Sequence, residues 1–532
     1  MAVRFLSACI VTALIFGISG CVGLVLPIAT TTSGVLHGSA QDGVLSFKGI
    51  VSTTQRLTRP YARSPIGALR WEPPQPLLSN EVRNTTAFGP SCIQQFTFAT
   101  QAFIERLFNT PPLPENEDCL FLNVWTPQDA INVPNKPVLV WIHGGSLQFG
   151  SGRVPEYNGM NIAQNHGIVV VTINYRTNVF GFPEGEELFP NNENLGYMDQ
   201  DLTLKWVQDN IAAFGGNPEL VTIVGESAGS QSVAQILQRH SVNPPFRAAI
   251  MESGAASSTI STPNFTSFDI FAKAVGCNQA FPGPERLACL KSVPASQIST
   301  WLNGPSGLGF GNVVVDNVTV FPDPYQRIKA NKTARVPILI GANQDDGTLF
   351  VVGDTDLATF LQGLLGSLVT VDQVRAVYPG FTDLEIIPLV FRDVVFLCPA
   401  ELTTTSYVQS GITSVFRYVY GAVFADLQLF PNAGAWHSTE IPEIFGTFNI
   451  TTASGLERTL STTMQSIWTN FIKDPFTSPA LKWQKFVPGN NTLSLARLAF
   501  TGNVELDNVV QPSPAGLDDG PCDNLWNALL DF

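Results

Sequence analysis

The stretch Leu220-Val-Thr-Ile-Val224, Gly225-Glu-Ser-Ala-Gly229, then Ser230 to Arg239 constrains this chain more than any other. A short, β-branched apolar run predicts a strand buried on both faces, and a helix-period run follows it directly. A turn that tight forces its central residue, Ser227, into a strained backbone conformation. Its neighbours must be small, because a Cβ would clash. The bare G-x-S-x-G pattern is weak, but placed between strand and helix it lifts Ser227 Oγ out of a sheet. The helix N-terminus behind it favours developing negative charge. Ser227 is therefore the candidate nucleophile.

The same alternation runs through the chain. Val138–Ile142, Ile168–Asn174, Ala249–Met251 and Val336–Ile340 read as further strands. Leu202 to Phe214 carries Leu204, Val207, Ile211 and Phe214 at helical spacing, ended by Gly215-Gly216. Strands alternating with helices imply βαβ units and a mostly parallel sheet. No Gly/Ser-rich or charged linker interrupts the chain after its first residues, so 27–532 reads as one domain. Hydrophobic residues make up 44% of the 532, enough for a large core and too many for a disordered chain. A net charge of −14 argues against a nucleic-acid partner held by phosphate neutralisation.

The N-terminus reads as an export leader. Arg4 precedes the apolar or small run Phe5 to Gly20, so residues 1–20 are expected to be a signal peptide, cleaved between 19 and 26. No later segment is long and apolar enough to span a bilayer, and the mature chain is expected outside the cell. Of eight cysteines, Cys9 leaves with the leader, and Cys21 with it if cleavage falls after that residue; Cys92, Cys119, Cys277, Cys289, Cys398 and Cys522 then remain, an even six that suggests disulfides. Sequons at Asn84, Asn264, Asn317, Asn331, Asn449 and Asn490 are glycosylation candidates.

A serine nucleophile needs a base and an orienting acid, in the chain order Ser, acid, His for such a turn. Of five histidines, His37, His143 and His166 precede Ser227, and His240 ends the helix that follows it. His437 remains. The acid should follow a strand end between the two. Gly341-Ala-Asn-Gln-Asp-Asp-Gly347 offers Asp345 and Asp346, which order and position do not separate. Oxyanion donors are expected from the glycine turn after Val138–Ile142, at Gly145 and Ser146, together with the Ala228 N–H. The histidines form no ligand cluster, and no metal or organic cofactor is implied.

With these residues in place, the chain resembles the type-B carboxylesterase/lipase family, the cholinesterase-like branch of α/β-hydrolases. Glu117-Asp-Cys-Leu-Phe-Leu-Asn-Val124 is similar to that family's EDCLYLNV signature. Asn194 to Gln200, Trp206 to Ile211, Phe214 to Pro218 and Gly225 to Ser230 resemble its nucleophile signature. The resemblance implies an α/β-hydrolase fold with a large, mostly parallel central sheet flanked by helices. It also selects Asp346 as the acid, from the family's N-x-D-[ED]-G run, and matches H-x-x-[DE]-I to His437-Ser-Thr-Glu-Ile441. It implies the bridges Cys92–Cys119, Cys277–Cys289 and Cys398–Cys522. Two departures stand out. Ser146 replaces the family's third glycine, and Val51 to Arg59 splits its G-I-P-Y-A run.

The activity so implied is hydrolysis of a small-molecule or lipid ester through an acyl-enzyme. Cholinesterases hold quaternary ammonium on a Trp in the loop corresponding to 92–119. Here no Trp lies between those cysteines, and the counted position is Asn109 beside Phe108, so neutral esters are expected. Two rivals remain: an interfacial triacylglycerol lipase, with Phe96, Phe98, Phe103, Ile104, Leu107 and Phe108 as the apolar face of a lid, and a non-catalytic binding module.

Overall fold

The computed structural model describes residues 4–9, 23–50, 61–96, 112–257, 263–279, 281–489 and 491–530. Its centre is an eleven-stranded sheet. In chain order the strands are β1 (Ser39–Gln41), β2 (Val44–Ile50), β3 (Leu122–Pro127), β4 (Lys136–Ile142), β5 (Val169–Ile173) and β6 (Gly216–Glu226). Then follow β7 (Ala248–Glu252), β8 (Ile338–Asn343), β9 (Val415–Tyr420), β10 (Leu495–Leu498) and β11 (Val510–Ser513). In space the order is β11-β10-β9-β8-β7-β6-β4-β5-β3-β2-β1. The run from β10 through β5 is parallel throughout, and the antiparallel pairs lie at the two edges.

The sheet is covered on both faces, as its unbroken apolar strands require. Along β4, Val138, Val140 and Ile142 enter one core while Leu139 and Trp141 enter the other, the two-residue period of a strand. Helices α1 (Leu195–Asn210) and α2 (Ala228–Arg239) supply Leu204, Val207, Val233 and Ile236 to the first core. On the opposite face α3 (Gly455–Lys473) supplies Leu460, Met464, Ile467, Trp468 and Phe471. The architecture is thus the α/β-hydrolase arrangement, with helices on both sides of a mostly parallel sheet.

Local differences from the sequence reading have simple causes. The helix expected over 202–214 starts earlier, at Leu195, and its last four residues tighten into the 3₁₀ turn Ile211–Phe214 before Gly215 at φ 81°. β8 begins at Ile338 because Pro337 has no N–H to donate, although its carbonyl accepts from Ala249 N at 3.1 Å. Disulfides join Cys92 to Cys119, Cys277 to Cys289 and Cys398 to Cys522. Asn84, Asn264, Asn317, Asn331 and Asn449 are exposed; Asn490 lies outside the described residues.

Arg4–Cys9 pairs antiparallel with Gly23–Thr31 at the edge of a separate four-stranded sheet. The rest of the expected leader, the Val51–Arg59 insertion and most of the expected lid face fall outside the described residues. No helix among the described residues is long and apolar enough to cross a membrane.

Candidate active site

Ser227 stands between the end of β6 and the start of α2 with φ 56° and ψ −125°. That is the strained turn expected of the strand–Gly-x-Ser-x-Gly–helix sequence, and the packing around it shows why glycines flank it. A Cβ on Gly225 would lie 2.4 Å from Gly229 O, and one on Gly229 would lie 2.0 Å from Ile142 O. A Cβ on Gly254, just after β7, would lie 2.6 Å from Ser227 O. Ser227 N donates to Glu252 O at 2.9 Å, which ties the turn to the neighbouring strand end.

The turn after β4 lies directly against the serine, since a Cβ on Gly144 would stand 2.9 Å from Ser227 Cβ. Gly145 at φ 102°, Ser146 at φ 53° and Leu147 at φ 57° carry the chain through this turn. Gly145 O accepts from Gln148 N at 2.8 Å and Phe149 N at 3.0 Å, which fixes its shape. The N–H groups of Gly145 and Ser146 make no hydrogen bond among the described residues. Ala228 N–H belongs to the first helical turn, which has no intrahelical acceptor. Three donors are thus left available beside the serine.

Asp346 follows β8 and is fully buried; its Oδ1 lies 2.9 Å from His437 Nδ1. Its other oxygen accepts from Asn343 N at 2.7 Å, so the carboxylate is aimed from two sides. Asp345 points elsewhere. Its Oδ2 accepts from Ala435 N at 2.8 Å, joining the turn after β8 to the loop that carries His437. The two aspartates left open by chain order are therefore separated by their contacts.

His437 Nε2 makes no hydrogen bond among the described residues but stands 3.1 Å from Glu226 Oε1. That oxygen takes a 2.6 Å hydrogen bond from Ser438 Oγ, and Ser438 occupies the left-handed region at φ 80°. Burial alone would lower the proton affinity of His437. The charge of Glu226 and the hydrogen bond and charge of Asp346 outweigh it, and the pKa is pushed up to about 9. Glu440 lies behind them, pushed up to about 8 by burial and by the neighbouring carboxylates, with Asn343 Nδ2 donating to it. The imidazole is walled by Phe396, stacked at 4.7 Å, and by Phe350, edge-on at 4.9 Å. His143, by contrast, is stacked on Tyr175 and lowered to about 4 by burial, a neutral packing residue.

The carboxylesterase family matches this chain over residues 26–374 and 384–508. The chain belongs to the carboxylesterase family. Among members of the carboxylesterase family, the para-nitrobenzyl esterase of Bacillus subtilis is 31% identical over 493 residues, covering 86% of this chain and 92% of its own. Secreted lipase 5 of Gibberella zeae is 31% identical over 524 residues, covering 89% and 90%. The cholinesterase of Mus musculus is 32% identical over 493 residues, covering 84% and 78%. A solved PNB esterase structure superposes with a TM-score of 0.74 at 29% identity, over 93% of this chain and 98% of that one.

Sequence reasoning did not single out Glu226, Ser438, Glu440, Phe350 or Phe396. The first sits inside the G-x-S-x-G motif and the next two inside the H-x-x-E-I run. Their identities were visible, but nothing in the sequence placed them around one imidazole. The two phenylalanines had no such marker.

Proposed function

We propose that this member of the carboxylesterase family is an exported serine hydrolase that cleaves neutral carboxylic esters through an acyl-enzyme. The observation that carries the reading is the convergence of a strained Ser227, a His437 held by Asp346 at 2.9 Å, and free N–H donors beside the serine. In this reading His437 Nε2 takes the Ser227 proton as Oγ attacks the ester carbonyl. The Gly145, Ser146 and Ala228 N–H groups receive the oxyanion, and Asp346 holds the Nδ1–H tautomer and stabilises the charged imidazole. The imidazolium returns its proton to the departing alcohol. Water then repeats the sequence on the acyl-serine, releasing the acid and restoring Ser227.

Export is supported by the apolar leader over 1–20, by three disulfides and by sequons on exposed asparagines. The missing Trp between Cys92 and Cys119 supports neutral over quaternary-ammonium substrates. The test is labelling by an active-site-directed organophosphate. Modification confined to Ser227, with loss of p-nitrophenyl ester hydrolysis, is expected. An unlabelled, inactive protein would leave the binding-module reading standing.

A second reading, an interfacial lipase, is favoured by the apolar wall of Phe96, Phe149, Leu349 and Trp436 with Phe350 and Phe430 packed against it. A jump in rate above the solubility limit of a triacylglycerol would select it.

A further inference from the structure

A cavity of about 420 Å³ opens beside the nucleophile turn. Leu147, the residue after Ser146, forms one wall, and Ala255, the residue after Gly254, forms another. Gln231 and Gln235 of α2 line its flank, at ~6 and ~12 Å along the helix from Ser227 at ~1.5 Å per residue. None of its walls comes from the loops that carry Asp346 and His437.

That placement assigns it a side of the substrate. The leaving oxygen has to lie against His437 to receive a proton, and the carbonyl oxygen has to face the Gly145, Ser146 and Ala228 donors. The acyl chain takes the remaining direction, away from His437. The cavity's polarity is then unexpected for a site that takes plain alkyl acids. Gln235 is only 6% exposed, yet its Oε1, an acceptor, makes no hydrogen bond among the described residues. An unpaired buried amide oxygen is costly, so a partner is expected from outside the protein chain. Glu184, which lines the same cavity, is also 6% exposed and accepts from Asn312 Nδ2 at 3.1 Å. A carboxyl group in this wall is a poor neighbour for an anionic acyl group, whose charge would be buried beside it with no cation among the lining residues.

We propose that this cavity is an acyl subsite that selects esters whose acyl chain ends in an uncharged hydrogen-bonding group, a hydroxyl or carboxamide, received by Gln235. The proposal rests on the esterase reading above and narrows its substrate class. The test uses Ser227→Ala protein, which cannot turn over, titrated calorimetrically with ethyl hexanoate and ethyl ω-hydroxyhexanoate. The hydroxy ester should bind about tenfold more tightly, and adding Gln235→Leu should bring the ratio to one or below. Leu keeps the helix and the buried volume. If that variant does not fold, Gln235→Met, which keeps the side-chain length but has no amide, should lower the ratio in the same way. A ratio of one in Ser227→Ala protein, or one that these changes leave intact, would overturn the subsite. Failure of unmodified protein to hydrolyse either ester would sink the esterase reading instead, and the binding ratio would still decide the cavity.

Discussion

His437 Nε2 stands 3.1 Å from the Oε1 of Glu226, the residue covalently next to the nucleophile. The imidazole is thus placed between two carboxylates, Asp346 on Nδ1 and Glu226 on Nε2, with Glu440 behind. A base in that setting holds its proton more tightly than a free histidine. The pH at which the enzyme becomes active should follow.

The rate should therefore rise with pH through an apparent value above the ordinary ~6.5 of histidine. Glu226→Gln removes one negative charge from beside Nε2, so the midpoint of kcat/KM against pH should move down. Ser438→Ala should shift it less, because the Ser438 hydroxyl only favours the ionised form of Glu226. A midpoint unmoved or raised in Glu226→Gln would show that Glu226 does not set the proton affinity of the base.

Ser227→Ala and His437→Ala should each reduce ester hydrolysis to background with the fold retained, since such groups act as a unit. Asp346→Asn should be nearly as severe, because it presents an amide where Nδ1–H needs an acceptor. Asp345→Asn should cost far less in kcat, as its carboxylate faces Ala435 N rather than the imidazole. The reverse ranking of the two asparagine variants would reassign the acid.

Ser146 holds a left-handed conformation at φ 53°, which a side chain makes unfavourable. Ser146→Gly should stabilise the protein by about 1 kcal/mol, a rise in Tm of only about 1 °C at this length. Activity should be kept or raised on esters with bulky acyl groups. A loss of roughly 10²-fold would mean that the hydroxyl itself serves the oxyanion.

Stability should fall as pH rises from acid to alkaline. Burial is the main cause that pushes Glu193 and Glu440 up to about 8 and Glu443 up to about 9. Each folded-state value lies above the ordinary ~4.3 of the unfolded chain, so the folded protein binds more protons in between. Their contribution is complete below about pH 4.3 and is lost as pH passes through 8 to 9. Tm measured between pH 5 and pH 9 should decline; a steady increase over that range would contradict this account.

Much of the site was legible because its constraints are local. The strand, the G-x-S-x-G turn and the helix are contiguous, so Ser227 and its conformation follow from a short run of residues. His437 followed by elimination, since the chain has few histidines. Asp345 and Asp346 were inseparable without a family resemblance because they share one turn. Their difference lies in partners from elsewhere, Ala435 for one and the His437 ring for the other. The Ser438–Glu226 hydrogen bond spans 212 positions, and only the parallel run from β6 to β9, which points their C-terminal ends the same way, makes it possible. Phe350 and Phe396 were hidden for the same reason, among 36 phenylalanines without a distinguishing pattern.

The close approaches around Ser227 have a practical meaning for redesign. At Gly144, Gly225, Gly229 and Gly254 even a methyl group would meet other atoms at 2.0 to 2.9 Å. A mutant library cannot alter specificity there without displacing backbone. Change in specificity is left to positions such as Gln231, Gln235 and Asn312, where side chains border open volume. A saturation library confined to that rim should return many folded, active variants with altered preferences, whereas one aimed at the four glycines should return mostly dead protein.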